Sequence, residues 1–490
     1  MRIVSWEVQA ANGMGACMIE GLSRLTRVVM MALVLAVSFV QPAAAADDDS
    51  GPSVLRDTET EALFRDLSIP LIKAANLDPQ SVHVVLLQDP EINAFVATGQ
   101  TVYIQSGLLL AADNVNELQG VVAHELGHVA GGHSIRLQQG AGAATGITLA
   151  TMILGAIAIA AGAGEAGMGV MMAGQRAALG KFLAFSRTQE STADAAGASY
   201  LSKAGISGKG LLDFFSKLQN QEYRLAIYAT DSYDQTHPLS SERISALEQK
   251  LKNDPSWSKP IDPKLEREFE RVKAKLFGFV DPKQALIKYP ASDQSVPGHY
   301  ARAYAYHLGG YPEQALKETD ALLATDPHDA YFLELKGQIL LESGHPKEAI
   351  LPLREATRAS GDAPLIAAML GHALIATEDK GNYAEAKQVL RAAIGRDDDN
   401  PFAWYQLGII YDQEGDTARA ALATAERNSL QGDPKTALIS AQMAMRGIPQ
   451  GTPDYLRAQD IAMVSCAALT TDKNGNDKNL KKEWAARCNR

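Results

Sequence analysis

The chain is poor in cysteine, with three in 490 residues. So few exclude a small disulfide-stapled scaffold. Positive charge is also in short supply: 46 Lys and Arg stand against 57 Asp and Glu, for a net charge of −11. Phosphate contacts need clustered Lys and Arg, so the acidic balance argues against broad nucleic-acid binding. What is present is ordinary globular material, 46% hydrophobic and 21% charged. That composition rules out a collagen and a wholly disordered chain. At about 100–200 residues per domain, the length calls for two or three domains.

The N-terminus reads as an export signal. Arg24 and Arg27 precede an uncharged apolar run from Val28 to Val40. Pro42, four alanines and Asp47-Asp48-Asp49 follow. A basic segment, a short apolar run and small residues before an acidic start match a secretory signal over residues 1–46. The run is short for a bilayer span. The long leading segment makes Met14 or Met18 the expected start of translation. Removal of the signal takes Cys17 with it and leaves Cys466 and Cys488, which are expected to pair in an oxidising compartment.

Helical spacing is predicted for residues 57–76, 115–134 and 180–203, and strands for 82–87 and for one or two segments within 92–105. No charged residue occurs between Arg136 and Glu165, and an uncharged Gly/Met run continues to Gln175. Residues 137–175 are therefore expected to form a lid over a cleft or a plate touching a membrane surface. Beyond residue 298 the chain repeats. Ala315, Ala349, Ala386 and Ala420 are 34, 37 and 34 residues apart, and Gly310, Gly344, Gly381 and Gly415 keep step. This period, with small residues where paired helices touch, is the tetratricopeptide pattern. Four repeats and a shortened fifth are expected, stacked into a solenoid with a concave partner-binding face.

His124-Glu125-Leu126-Gly127-His128 carries the chemistry. Positions four apart share a helix face, so both imidazoles reach one metal. Glu125 then stands beside an open coordination position as a general base for a metal-activated water. Zinc lowers the pKa of such a water to about 7. The apolar flanks Val121–Ala123 and Val129-Ala130 predict burial. A third ligand is needed. His133 is nine residues after His124, and on a continuous helix it would point away from that face, so it is expected to be a partly exposed histidine or one that supports a ligand from behind. Glu190 is the better candidate. Asp194, one turn later, shares its face and is placed to accept the free ring N–H of a ligand histidine.

These two motifs resemble the zinc metallopeptidase family that includes the HtpX-type and CaaX-prenyl-protease-type enzymes. The union with tetratricopeptide repeats resembles its exported branch. The resemblance implies one zinc ion per chain held by His124, His128 and Glu190, with Glu125 as base and Asp194 behind a ligand. It also implies that the strand at Asn93-Ala94-Phe95 lines the substrate cleft, and that His237, in Thr236-His237-Pro238, approaches the zinc to assist or block catalysis. The expected fold is mainly α: a zincin-like helical metallopeptidase domain with a small β-sheet (55–255), a helical linker (256–297), an all-α tetratricopeptide solenoid (298–465) and a tail (466–490). The implied function is a periplasmic zinc endopeptidase in quality control of envelope proteins. Its implied partners are misassembled outer-membrane proteins and the machinery that assembles them. The alternative is a repeat-based chaperone or adaptor whose proteolysis is latent.

Overall fold

The computed structural model describes residues 2–4, 53–97, 99–133, 145, 147–154, 164–225, 237, 239–471, 484 and 486–488. Apart from Arg2–Val4, the expected export signal lies outside the described residues. So do Thr236, Pro238 and much of the stretch 137–163.

The sheet comprises β1 (Arg2–Val4), β2 (Ser53–Arg56), β3 (His83–Gln88), β4 (Ala94–Val96) and β5 (Thr101–Gln105). Its order is β1-β2-β3-β5-β4. β3 and β5 are parallel, with Val84 opposite Val102 and Leu86 opposite Ile104, and the other pairs are antiparallel. The period of two turns Leu86, Val102 and Ile104 inward. β4 is therefore an edge strand.

Helix α1 (Thr58–Ala74) lies on the sheet, started by Asp57, whose carboxylate accepts the Thr60 N–H at 2.9 Å. A short α2 (Ser106–Ala111) leads to α3 (Val115–Gly131). A reciprocal cap sets its start: Asn114 accepts the Glu117 N–H, and Glu117 accepts the Asp113 N–H. Next come α4 (Gly164–Ala204), α5 (Lys209–Leu225) and α6 (Ser241–Lys252). Small residues let α3 and α4 approach closely. A Cβ on Gly127 would stand 2.8 Å from Ala193, and one on Gly197 would stand 3.1 Å from the Ala123 backbone. The expected close packing of the Ala193–Gly197 segment is thus on the α3 face that bears the histidines.

Residues 256–297 hold two helices. Helix α7 (Pro263–Val280) buries Phe269, Val272 and Leu276, and α8 (Pro282–Lys288) follows it. Helix pairs then continue as α9 (Val296–Leu308), α10 (Pro312–Thr325), α11 (Ala330–Glu342), α12 (Pro346–Ala359), α13 (Pro364–Ala376) and α14 (Tyr383–Arg396). They end with α15 (Pro401–Gln413), α16 (Thr417–Leu430), α17 (Pro434–Gly447) and α18 (Pro453–Thr471). The last pair is full length, not shortened. A disulfide joins Cys466 to Cys488. Among the described residues no helix is long and apolar enough to cross a membrane. Leu149, Met152, Ile153, Leu154, Met168 and Met172 are nevertheless exposed.

Candidate metal centre

α3 presents His124, Glu125 and His128, and α4 presents Glu190 and Asp194; all five are buried. The Nε2 atoms of His124 and His128 are 3.1 Å apart. Glu190 Oε2 lies 3.4 Å from His124 Nε2, and its Oε1 lies 3.5 Å from His128 Nε2. His237, on the segment before α6, places Nδ1 3.2 Å from both Glu190 oxygens. Ligand atoms of His124, His128, Glu190 and His237 all fall within 4.8 Å of one another.

Two imidazole nitrogens facing each other at 3.1 Å must share a proton, as an N–H···N bond, or a metal ion. The electrostatics agree. Burial alone would depress His124, but hydrogen bonds to Asp194 and Glu190 outweigh it and raise it to about 10. Burial and the charge of His124 push His128 well below the usual histidine range. Burial likewise opposes ionisation of Glu190, yet hydrogen bonds to His124 and His237 hold it well below the usual carboxylate range. The donor set fits zinc: ligands about 2.0–2.1 Å from a tetrahedral ion stand about 3.3 Å apart.

Glu125 differs from its neighbours. Among the described residues, neither of its buried carboxylate oxygens has a hydrogen-bond partner. His237 Nε2 is 3.6 Å away, beyond a good hydrogen bond. Burial raises its pKa against the pull of His237 and His124. A carboxylate so placed holds a proton more readily than one in water.

Asp194 Oδ1 lies 3.1 Å from His124 Nδ1. Arg243 clamps Asp194 from behind, Nε to Oδ2 at 2.7 Å and Nη2 to Oδ1 at 2.8 Å, and its Nη1 reaches Glu190 Oε2 at 3.1 Å. The sequence makes Arg243 a candidate support for this site without counting it among the site residues. A lone arginine in the first turn of a polar helix carries no stronger signal there. Its placement depends on Ser240, whose side chain accepts the Arg243 N–H and starts α6, which sets Arg243 six residues after His237.

Asn93 and Ala94 are buried, and Phe95 stacks on Tyr103 with centroids 5.3 Å apart. The Ala94 carbonyl accepts a hydrogen bond from His237 Nε2 at 3.2 Å. The edge strand thus runs beside the donor cluster. His133 does not join the four-donor cluster, and it does not point away either. α3 ends at Gly131, and the chain turns back so that His133 packs on His128.

Residues 56–251 match the family described as Peptidase family M48, and residues 300–364 and 375–433 match the tetratricopeptide repeat. The chain carries an M48 metallopeptidase domain followed by tetratricopeptide repeats. M48 peptidases are zinc-dependent, in keeping with the donor set above. The chain is homologous to the Beta-barrel assembly-enhancing protease of Escherichia coli (strain K12), at 25% identity over 403 residues, 79% of this chain and 80% of the relative. The protein of that name from Yersinia pestis is 24% identical over 372 residues, 74% of each chain. Metalloprotease LoiP of Escherichia coli (strain K12) is 30% identical over 185 residues, 36% of this chain and 66% of LoiP.

Proposed function

We propose that this metallopeptidase is a periplasmic zinc endopeptidase acting in assembly and quality control of outer-membrane proteins. The observation that carries the chemistry is three donors spaced 3.1–3.5 Å apart beside a buried carboxylate that has no hydrogen-bond partner among the described residues. His124, His128 and Glu190 would hold the zinc, and Asp194, braced by Arg243, fixes the ring of His124. The ion, when bound, supplies a Lewis acid and makes a neighbouring water acidic near neutral pH. Glu125 takes a proton from the water that attacks the scissile carbonyl and passes it to the leaving amine. The edge strand at Asn93–Phe95 holds an extended substrate by main-chain hydrogen bonds, which suits loose sequence preference.

Homology to Beta-barrel assembly-enhancing proteases supports the envelope setting. So does the Cys466–Cys488 bridge, since disulfides persist in oxidising compartments. The repeats offer the surface for unfolded substrates and for assembly machinery. The exposed apolar residues of 147–172 touch the membrane surface. Met172→Glu should lower cosedimentation with anionic vesicles; undiminished binding removes that contact.

Glu125→Gln should keep about one zinc per chain while casein cleavage falls by about 10²–10⁴-fold. An undiminished rate refutes the base assignment. A second reading is latency, which would leave the repeats to act as a chaperone or adaptor. His237 favours it, because it bonds Glu190 and also takes the Ala94 carbonyl that a substrate strand would use. His237→Ala should then raise casein cleavage several-fold. An unchanged or lower rate argues against blocking.

A further inference from the structure

His124 and His128 are supported differently. The ring of His124 faces the Asp194 carboxylate. The ring of His128 turns its Nδ1 toward His133, whose Nδ1 lies 3.0 Å away. His133 is 4% exposed, and the two rings stand nearly perpendicular at 82°, with centroids 4.9 Å apart. The turn that delivers His133 is specific. Gly132 adopts φ +61°, and its N–H closes on the carbonyls of His128 and Val129. That left-handed step is costly for any residue with a Cβ. Gly131 leaves room for the returning ring, since a Cβ there would stand 2.3 Å from His133 Nε2.

Proton bookkeeping gives the contact a direction. His128 offers Nε2 to the donor cluster, so that nitrogen carries the lone pair. A neutral imidazole with its lone pair on Nε2 carries its proton on Nδ1. That N–H has an acceptor at His133 Nδ1, which then keeps its own proton on Nε2.

We infer that His133 is a positioning residue for the metal ligand His128, accepting its Nδ1–H and holding its ring and tautomer for zinc. This rests on the metal centre proposed above. His133 acts through His128 and touches neither substrate nor ion. It does for His128 what Asp194 does for His124, but with a neutral acceptor in place of an anion. Outer partners of metal-bound histidines are worth about 10–100-fold in metal affinity.

The test is zinc affinity of the full chain, measured by competition with a chromophoric chelator and paired with circular dichroism. His133→Phe keeps a flat ring and removes the acceptor; it should weaken zinc binding by about 10–100-fold. His133→Asn, whose carbonyl still accepts, should recover most of that loss. In a His128→Ala background His133→Phe should have no further effect, and the cobalt(II) spectrum of the single Phe variant should shift. Gly132→Ala strains the turn and displaces an intact His133, so it should reproduce the loss. It also decides the matter should the Phe variant fail to fold. A folded Phe or Gly132→Ala variant with wild-type zinc affinity overturns the inference. So does an equal loss with and without His128. Wild-type protein that takes up no zinc instead overturns the metal centre itself.

Discussion

Helices α9–α11 and helices α15–α18 are built alike but belong to different cores. In the early group, Tyr300, Tyr304, Phe332, Leu335 and Ile339 share one apolar cluster with Leu55, Phe64, Leu118 and Leu276 of the peptidase half. In the late group, Trp404 and Leu407 pack with Leu374 and Leu390, and Ala421, Leu422 and Ala425 pack with Ala437, Ala441, Ala444 and Ile461. The polar contacts divide less cleanly, since Arg56 of β2 also reaches Asp397, just past α14, at 3.1 Å. At the junction Lys275 is 1% exposed between Asp57 (2.6 Å) and Glu59 (3.2 Å), and Arg271 joins Glu59 and Asp329 at 2.8 Å each. The Arg354–Glu385 pair between later helices is more than a third exposed, so it contributes little. The difference shows that a repeat's sequence period does not assign it to a domain. The first repeats complete the peptidase, and the later ones extend from it.

The largest effect that would break this comparison comes from truncation. A chain ending at residue 297 loses every repeat residue of the shared cluster. Single large-to-small changes in such a core cost about 2–5 kcal/mol against a total stability of about 5–15 kcal/mol. That chain should be insoluble or unfolded. A chain ending at residue 432 loses only α17 and α18 and should keep cooperative melting and casein cleavage. Full activity in the shorter chain would make the shared core dispensable. Removing the whole repeat block therefore cannot separate a chaperone role from proteolysis, because it takes part of the peptidase core with it.

A smaller effect sharpens it. Glu334, on α11, is buried at the junction. Burial, against the pull of Lys275 and aided by Asp57, pushes its carboxyl up to about 7. The unfolded value is about 4.3, so the folded state binds the proton more tightly. Its contribution is complete below the unfolded value and is lost as pH rises through about 7. Glu334→Gln should raise the melting temperature at pH 8 and change it little at pH 4. An equal change at both values would show that Glu334 ionises freely in the fold.

The repeats and the His124–His128 motif were legible because each is local. Helical spacing puts residues four apart on one face whatever surrounds them, and a 34-residue period needs only counting. Glu190 was legible less directly, through Asp194 one turn on and the small residues that let α4 reach α3. Arg243 and His133 were legible only as candidates for supporting roles; where they sit was not. The first depends on where a loop from the site re-enters the core. The second depends on a helix ending at Gly131 that periodicity alone would have continued.

The sequence by itself determined the chemistry available: two imidazoles and a carboxylate on one turn, an acid pair downstream, and a repeat array. Those are short-range facts, set by the rise and twist of single helices. Only the tertiary structure decided which groups meet. It brought Glu190 across some sixty positions to within 3.5 Å of both histidines, set His237 against the Ala94 carbonyl and merged the first repeats with the peptidase core. Contacts between distant segments form because burying their apolar faces together outweighs the chain entropy lost, and that balance belongs to the whole fold.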